Sequence, residues 1–273
     1  MIKLLILGPT GEMGKLIMGL AFEDPEIEVV AACDVNNIGV ELKDFLPISD
    51  SNNIKITGVD NLEEVIKEVK PDIAVDFTTA KATEKNAIIC VKNGVKCIIG
   101  TTGLSNGFIK EFESLVREKN IPAVISPNMS SGINIFFKIV EILTPYLKDW
   151  DMEIIETHHN RKLDAPSGTA LKIANIISQV LNVTFDEIVK YGRDKGPNKR
   201  KIGASNEIGI HSVRGGDIIG DHTILFAGKG ERIELTHRAQ SRICFAEGSI
   251  KAIKFLSQVK DGKIYSTKDV LNL

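Results

Sequence analysis

Residues 156–170 read ETHHNRKLDAPSGTA. His158 and His159, two of only five histidines in the chain, stand side by side, and Lys162, Asp164 and Thr169 follow closely. A histidine can give or take a proton near neutral pH, and a lysine can do the same or hold a carboxylate. Consecutive residues at the end of an extended strand turn their rings to opposite sides. One histidine can then face a reacting atom while the other meets an anionic group. Pro166 stops any helix upstream, and Ser167 is placed to cap one that begins at Gly168 and Thr169. The free N–H groups of that helix start, with the Thr169 hydroxyl, form an anion site. Together these groups fit a small dianionic substrate and a proton-transfer step. Adjacent histidines on a strand do not readily share one ion, and no HxxxH or CxxC accompanies them, so no metal is expected. Asp164 reads as a loop-orienting group and Arg161 as solvated.

A second chemical signal is GPTGEMG at 8–14. It follows an apolar run and opens a helical one, with spacing G-x-x-G-x-x-G. Small residues there let the backbone approach a pyrophosphate, and a helix N-terminus favours it. Asp34 ends the next apolar run, about where an acid meets the adenosine ribose hydroxyls. A carboxylate beside the ribose repels a 2′-phosphate, and Val35, Asn36 and Asn37 supply no arginine to greet one. NADH is therefore expected to serve at least as well as NADPH. Three more loops fall at predicted strand ends: Phe77-Thr78-Thr79, Gly100-Thr101-Thr102-Gly103 and Ser126-Pro127-Asn128-Met129.

These groups need a scaffold, and the first 125 residues alternate short apolar strands with helices. Strands are expected at 3–7, 27–33, 73–77, 95–99 and 123–125, and helices at 14–22, 62–69, 81–93 and 107–119. That alternation predicts a Rossmann-type doubly wound parallel sheet covered on both faces. After Asn128 the pattern changes. A long helix is expected at 131–147, which Pro145 can end early, then a strand at 152–158 and a helix at 167–181. A Gly/Lys/Arg-rich loop spans 192–206. Strands at 208–213, 222–227 and 231–237, with a hairpin signal at 227–231, predict a second α+β domain with a mixed, largely antiparallel sheet. The last helix, 240–256, is amphipathic. The expected division is residues 1–127, with 239–273 packing back on them, and 128–238.

Composition narrows the function classes. The chain has 273 residues, 43% of them hydrophobic, and 34 basic against 36 acidic groups give a net charge of −2. This balance speaks against nucleic acid or a membrane surface as the partner. No apolar run reaches the roughly 20 residues that span a bilayer, and the apolar start is too short for a signal peptide. Cys33, Cys90, Cys97 and Cys244 form no CxxC and read as buried free thiols in a reducing cytoplasm.

The fifteen-residue stretch closely resembles the signature of the dihydrodipicolinate (4-hydroxy-tetrahydrodipicolinate) reductase family. GPTGEMG, DFTT at 76–79, GTTG at 100–103, SPNMSSGIN at 126–134, the run 211–242 and the ending KDVLNL resemble it too. The resemblance covers nearly the whole chain. It implies reduction by NADH or NADPH of the unsaturated ring made from pyruvate and aspartate semialdehyde, giving tetrahydrodipicolinate on the diaminopimelate route to lysine. By motif, it makes His158 the general acid/base and Lys162 the proton donor; the residues alone leave open which of them delivers the proton. His159, Gly168 and Thr169 would bind the substrate carboxylates. Gly8, Pro9, Thr10, Gly11, Glu12, Met13, Asp34, Gly100, Thr101, Thr102, Ser126, Pro127, Asn128 and Met129 would bind the cofactor. A homotetramer built through the second domain's sheet is implied as well. The chain departs from the family pattern at Val35 and Thr79, where many relatives carry a basic residue, and at Met129, where Phe is often seen. A semialdehyde dehydrogenase would need a loop cysteine, whereas Cys90 falls mid-helix and Cys97 mid-strand. A non-catalytic nicotinamide sensor would not need His158 and Lys162.

Overall fold

The computed structural model describes residues 1–45, 53–200 and 207–273. In chain order the elements are β1 (Ile2–Leu7), α1 (Glu12–Glu23), β2 (Ile27–Asp34), β3 (Ile56–Gly58), α2 (Leu62–Val69), β4 (Ile73–Asp76), α3 (Ala80–Lys92), β5 (Lys96–Ile99), α4 (Asn106–Lys119), β6 (Ala123–Ile125) and α5 (Ser131–Leu143). They continue with β7 (Asp151–His158), α6 (Gly168–Leu181), α7 (Phe185–Ile188), β8 (Val189–Tyr191), β9 (Ile208–Arg214), β10 (Gly220–Ala227), β11 (Arg232–Ala239), α8 (Ile243–Gln258), β12 (Ile264–Tyr265) and α9 (Thr267–Val270). The chain divides into two compact units, residues 1–131 with 242–273, and residues 132–241.

Unit 1 holds a seven-stranded sheet in the order β12-β6-β5-β4-β1-β2-β3, and every neighbouring pair is parallel. Its strands are buried on both faces, so they read as continuous apolar runs. On one face Leu4, Ile6 and Val75 pack with Ile17 and Met18 of α1 and Ala252, Ile253 and Leu256 of α8. On the other, Leu5, Ala74 and Ile99 pack with Ile66 of α2, Cys90 of α3 and Phe112 of α4. The strand order reverses between β1 and β4. Ligands of such sheets bind outside the strand carboxyl ends at that point.

Unit 2 holds a five-stranded sheet, β11-β10-β7-β9-β8. It is mixed, as expected, and its longest ladder, between β10 and β11, is antiparallel. β10 runs antiparallel to β11 and β7, whereas β7–β9 and β8–β9 are parallel. The crossover through α6 and α7 returns the chain in the direction of β7, which the hairpin signals alone do not convey. Phe136 and Val140 of α5 and Ile173 and Ile177 of α6 pack on one face, against Ile154, Ile210, Ile224 and Phe226. The alternating burial of β7 and β10 marks that face as the buried one.

Three helices depart from their expected bounds by more than one residue at an end. α1 starts at Glu12, α5 stops at Leu143, before Pro145, and α8 starts at Ile243. The short strands β3, β8 and β12 and the single-turn helices α7 and α9 were not anticipated. The expected loop at 192–206 lies partly outside the described residues, at 201–206.

Candidate active site

In unit 1 the loop after β1 lies at the reversal of strand order. Gly8 adopts φ +74°, and a Cβ on it would come within 2.7 Å of the Thr78 methyl. A Cβ on Gly14 would overlap the Gly8 carbonyl oxygen, so α1 abuts the loop only because glycine stands there. Gly11, the N-cap of α1, has no side chain to offer the first-turn N–H groups, which stay available to an anion. Asp34 is buried and held on both oxygens. Thr10 Oγ1 donates to Oδ2 (2.8 Å), and the N–H groups of Val35 and Asn36 donate to Oδ1 (2.7 and 3.1 Å). Gly8, Thr10, Gly11 and Asp34 line a cavity of about 310 Å³ together with Thr78 and Asn86.

The neighbouring loops are tied together beneath this surface. Asp76 Oδ1 accepts from Thr78 N–H (2.9 Å) and Thr78 Oγ1 (2.7 Å). Thr83 Oγ1 lies 2.9 Å from the same oxygen and 2.8 Å from Thr101 Oγ1. A Cβ on Gly100 would overlap the Phe77 ring. Ser126 Oγ donates to the Asn128 carbonyl (3.0 Å) and receives the Thr267 hydroxyl (2.7 Å). Gly100–Thr102 and Ser126–Met129 thus follow β5 and β6 at the same strand ends as the glycine loop. Some expected cofactor residues turn their side chains elsewhere. Met129 is 1% exposed and packs in the core, Met13 packs against that core, and Glu12 pairs with Arg242. The buried Met129 can therefore serve a ligand only through its backbone. The glycine cradle and the fixed Asp34 carboxylate suit a dinucleotide.

In unit 2 the fifteen-residue stretch runs from β7 into α6. Glu156 and His158 share one face of β7, since strand side chains alternate. Glu156 is fully buried, and its Oε2 lies 2.5 Å from His158 Nδ1. Arg214 of β9 donates to both Glu156 oxygens (2.8 and 2.9 Å), and Ser167 N–H donates to Oε1 (3.1 Å). Burial pushes this carboxyl up, but hydrogen bonds from Arg214, Ser212, His158 and Ser167 outweigh it and bring it to about 2. Glu156 is therefore an anion that only accepts, and the neutral His158 carries its proton on Nδ1. Burial pushes His158 below its ordinary value, against the pull of Glu156.

Ser167 caps α6, accepting from Ala170 N–H at 3.2 Å. Its Oγ also lies 3.0 Å from Nε2 of His222. The His222 ring meets His158 edge to face, centroids 5.1 Å apart. Burial and the neighbouring His158 drive His222 down to about 3, so it is neutral at working pH. Lys162 pairs with Asp164 at 2.7 Å, and Arg214 also donates to the Asp164 carbonyl (2.7 Å). His158, Lys162 and the start of α6 at Gly168 and Thr169 thus belong to one hydrogen-bonded loop. His159 is partly buried, and its Nδ1 has no partner among the described residues. No group of three metal-ligating side chains occurs among the described residues.

Sequence reasoning overlooked Glu156, Arg214 and His222. The spacing of Glu156 two residues before His158 on a strand was a usable signal. Nothing in the sequence paired Arg214 or His222 with it.

Comparison with known proteins bears on both halves. Residues 2–129 match the family model described as dihydrodipicolinate reductase, N-terminus, and residues 132–271 the model described as dihydrodipicolinate reductase, C-terminus. The chain is 46% identical to the 4-hydroxy-tetrahydrodipicolinate reductase of Methanocaldococcus jannaschii, over 100% of this chain and 98% of that one. It is also 46% identical to the reductase of that name from Methanosarcina barkeri, over the full length of both. A dipicolinate-bound dihydrodipicolinate reductase from Paenisporosarcina sp. TG-14 superposes with TM-score 0.78 at 30% identity, covering 98% of each chain. An amine dehydrogenase from Mycobacterium smegmatis shares the fold at 13% identity, with TM-score 0.62 over 97% of this chain and 95% of that one.

Proposed function

The chain belongs to the dihydrodipicolinate reductase family, and from that premise we propose that it reduces the 4-hydroxy-tetrahydrodipicolinate-derived ring to tetrahydrodipicolinate, on the diaminopimelate route to lysine. The observation that carries this reading is the Glu156-held His158 on the same loop as Lys162 and the capped start of α6. A reduced nicotinamide dinucleotide supplies the hydride when bound.

Unit 1 acts as the dinucleotide-binding domain. The Gly8–Met13 loop seats the pyrophosphate, with the N–H groups of Glu12 and Met13 at the start of α1 as its donors, Asp34 takes the ribose hydroxyls, and Gly100–Thr102 with Ser126–Met129 line the nicotinamide end. NADH serves at least as well as NADPH. The Asp34 carboxylate, fixed by Thr10 and two N–H groups, repels a 2′-phosphate, and Val35 and Thr79 offer it no cation.

Unit 2 acts as the substrate-binding and oligomerisation domain. Its ligand is a small dicarboxylate, of the kind bound by the Paenisporosarcina relative. One carboxylate meets the N–H groups of Gly168 and Thr169, helped by the Thr169 hydroxyl, and His159 meets the other. Lys162 offsets the dianion and stabilises charge arriving on the ring nitrogen. Holding the reacting carbons aligned can supply about 7–11 kcal/mol of the barrier. The proton comes from Lys162 or His158. The exposed Ile155 and Val213 on the sheet face opposite the helices support assembly of copies into a homotetramer. No helix among the described residues is long and apolar enough to cross a membrane, and the enzyme is read as cytoplasmic.

The test is loss of reduced-dinucleotide absorbance on adding freshly condensed pyruvate and aspartate semialdehyde. The product should carry one more hydride and one more proton than the ring supplied. Absence of oxidation by protein that binds the dinucleotide would overturn the reading.

A further inference from the structure

Asn86 sits on the inward face of α3, in register with Thr83, Ala87 and Cys90, and is 3% exposed. Its side-chain amide makes no hydrogen bond among the described residues. It nonetheless lines the same cavity as Asp34. With no partner among the described residues, the amide keeps its polar atoms open to that cavity rather than sealed in the core. Val35, Val59, Phe77, Thr79 and Ala82 add small or apolar wall, and Asn36 lies next to Asp34. A partly apolar wall beside the Asp34 carboxylate, with the Asn86 amide on it, has the character of a base pocket.

We infer that Asn86 reads the adenine of the dinucleotide, donating to N7 through its NH2 and accepting from the 6-amino group through its Oδ1. That is the two-point match an asparagine makes with adenine. Hypoxanthine places a carbonyl where adenine has its amino group, so both atoms on that edge only accept, and turning the amide over does not restore the match. Asn86 thereby makes the cavity selective for the base. This inference rests on the dinucleotide reading of unit 1, and its test needs no substrate.

The probes are NADH and reduced nicotinamide hypoxanthine dinucleotide, which carry the same fluorescent dihydronicotinamide. Titration of wild-type protein should give binding about tenfold or more tighter for NADH, the scale of one two-point base contact. Asn86→Leu should bind both probes alike, with the weaker wild-type affinity. Its thermal midpoint should stay close to wild type, because the amide bonds to no other group among the described residues. Asn86→Ala gives a second reading with a smaller side chain. Equal wild-type affinity for the two probes would overturn the inference, as would a preference that survives in both variants. Failure of both probes to bind would overturn the dinucleotide reading along with it.

Discussion

The carboxylate of Glu156 lies 2.5 Å from Nδ1 of His158, and the same carboxylate is gripped on both oxygens by Arg214. Both residues project from one face of β7, and neither is appreciably exposed. Arg214 and the Ser167 N–H keep Glu156 ionised, so His158 presents Nε2 without a proton when it is neutral. The pair thus fixes the tautomer as well as the direction of the ring, as a carboxylate behind a histidine commonly does.

Replacing Glu156 with Gln removes the charge but keeps the shape. Turnover is expected to fall on the order of a hundredfold, while NADH binding stays at the wild-type value. Paired measurements of kcat and of dinucleotide affinity by fluorescence check this. Unchanged turnover would mean that His158 does not depend on the pair.

Burial holds His158 below its ordinary value, so its imidazolium is scarce at neutral pH. Lys162 is then the expected proton source, and kcat should stay flat from about pH 6.5 to 8. A kcat that drops about tenfold per pH unit over that range would instead make protonated His158 the donor.

His222 is held neutral in the fold, at about 3 against 6.5 when free. The unfolded chain takes up that proton first, so the stability His222 contributes is complete above about pH 6.5 and is lost as the pH falls toward 3. Glu156 has the opposite charge type and the same sign of effect: its contribution is complete above about 4.5 and is lost toward 2. Between pH 6.5 and 4.5 the loss therefore comes mainly from buried histidine. Urea unfolding of His222→Gln across that window should show a pH slope smaller than wild type by about 1.4 kcal/mol per pH unit. An identical slope would remove His222 from the account.

A methyl group on Gly14 has nowhere to go, because the Gly8 carbonyl occupies its position. Gly14→Ala should destabilise the protein by about 1–3 kcal/mol and weaken NADH binding, since the loop must move away from α1. Denaturant midpoints and dinucleotide titration would show both effects together, and wild-type binding by this variant would argue against the cradle.

The parallel sheet was legible because fully buried strands are short apolar runs between helices, as in β1, β4 and β5. The strands β3 and β12, with three and two residues, are too brief to carry a periodicity. The parallel placing of β8 and β9 depends on a crossover that local turn signals do not reveal. Ser167 as a helix cap was readable from its neighbours, since capping is local chemistry. Arg214 and His222 were not, because their partners lie far away in the chain and meet them only when the sheet forms. Asn86 looks like any polar residue on a helix until the packing of α3 shows that it faces inward.

The central claim is that the loop carrying His158 and Lys162 reduces a dianionic ring with a hydride from a bound nicotinamide. The most direct measurement compares wild type with a His158→Gln, Lys162→Met double variant, following NADH oxidation with freshly condensed pyruvate and aspartate semialdehyde and titrating NADH into the same samples. Wild type should oxidise NADH only when the condensed substrate is present. The double variant should bind NADH as tightly but turn over about a thousandfold or more slowly. A double variant that keeps near-wild-type turnover, or a wild type that binds NADH and leaves the ring unreduced, would contradict the account.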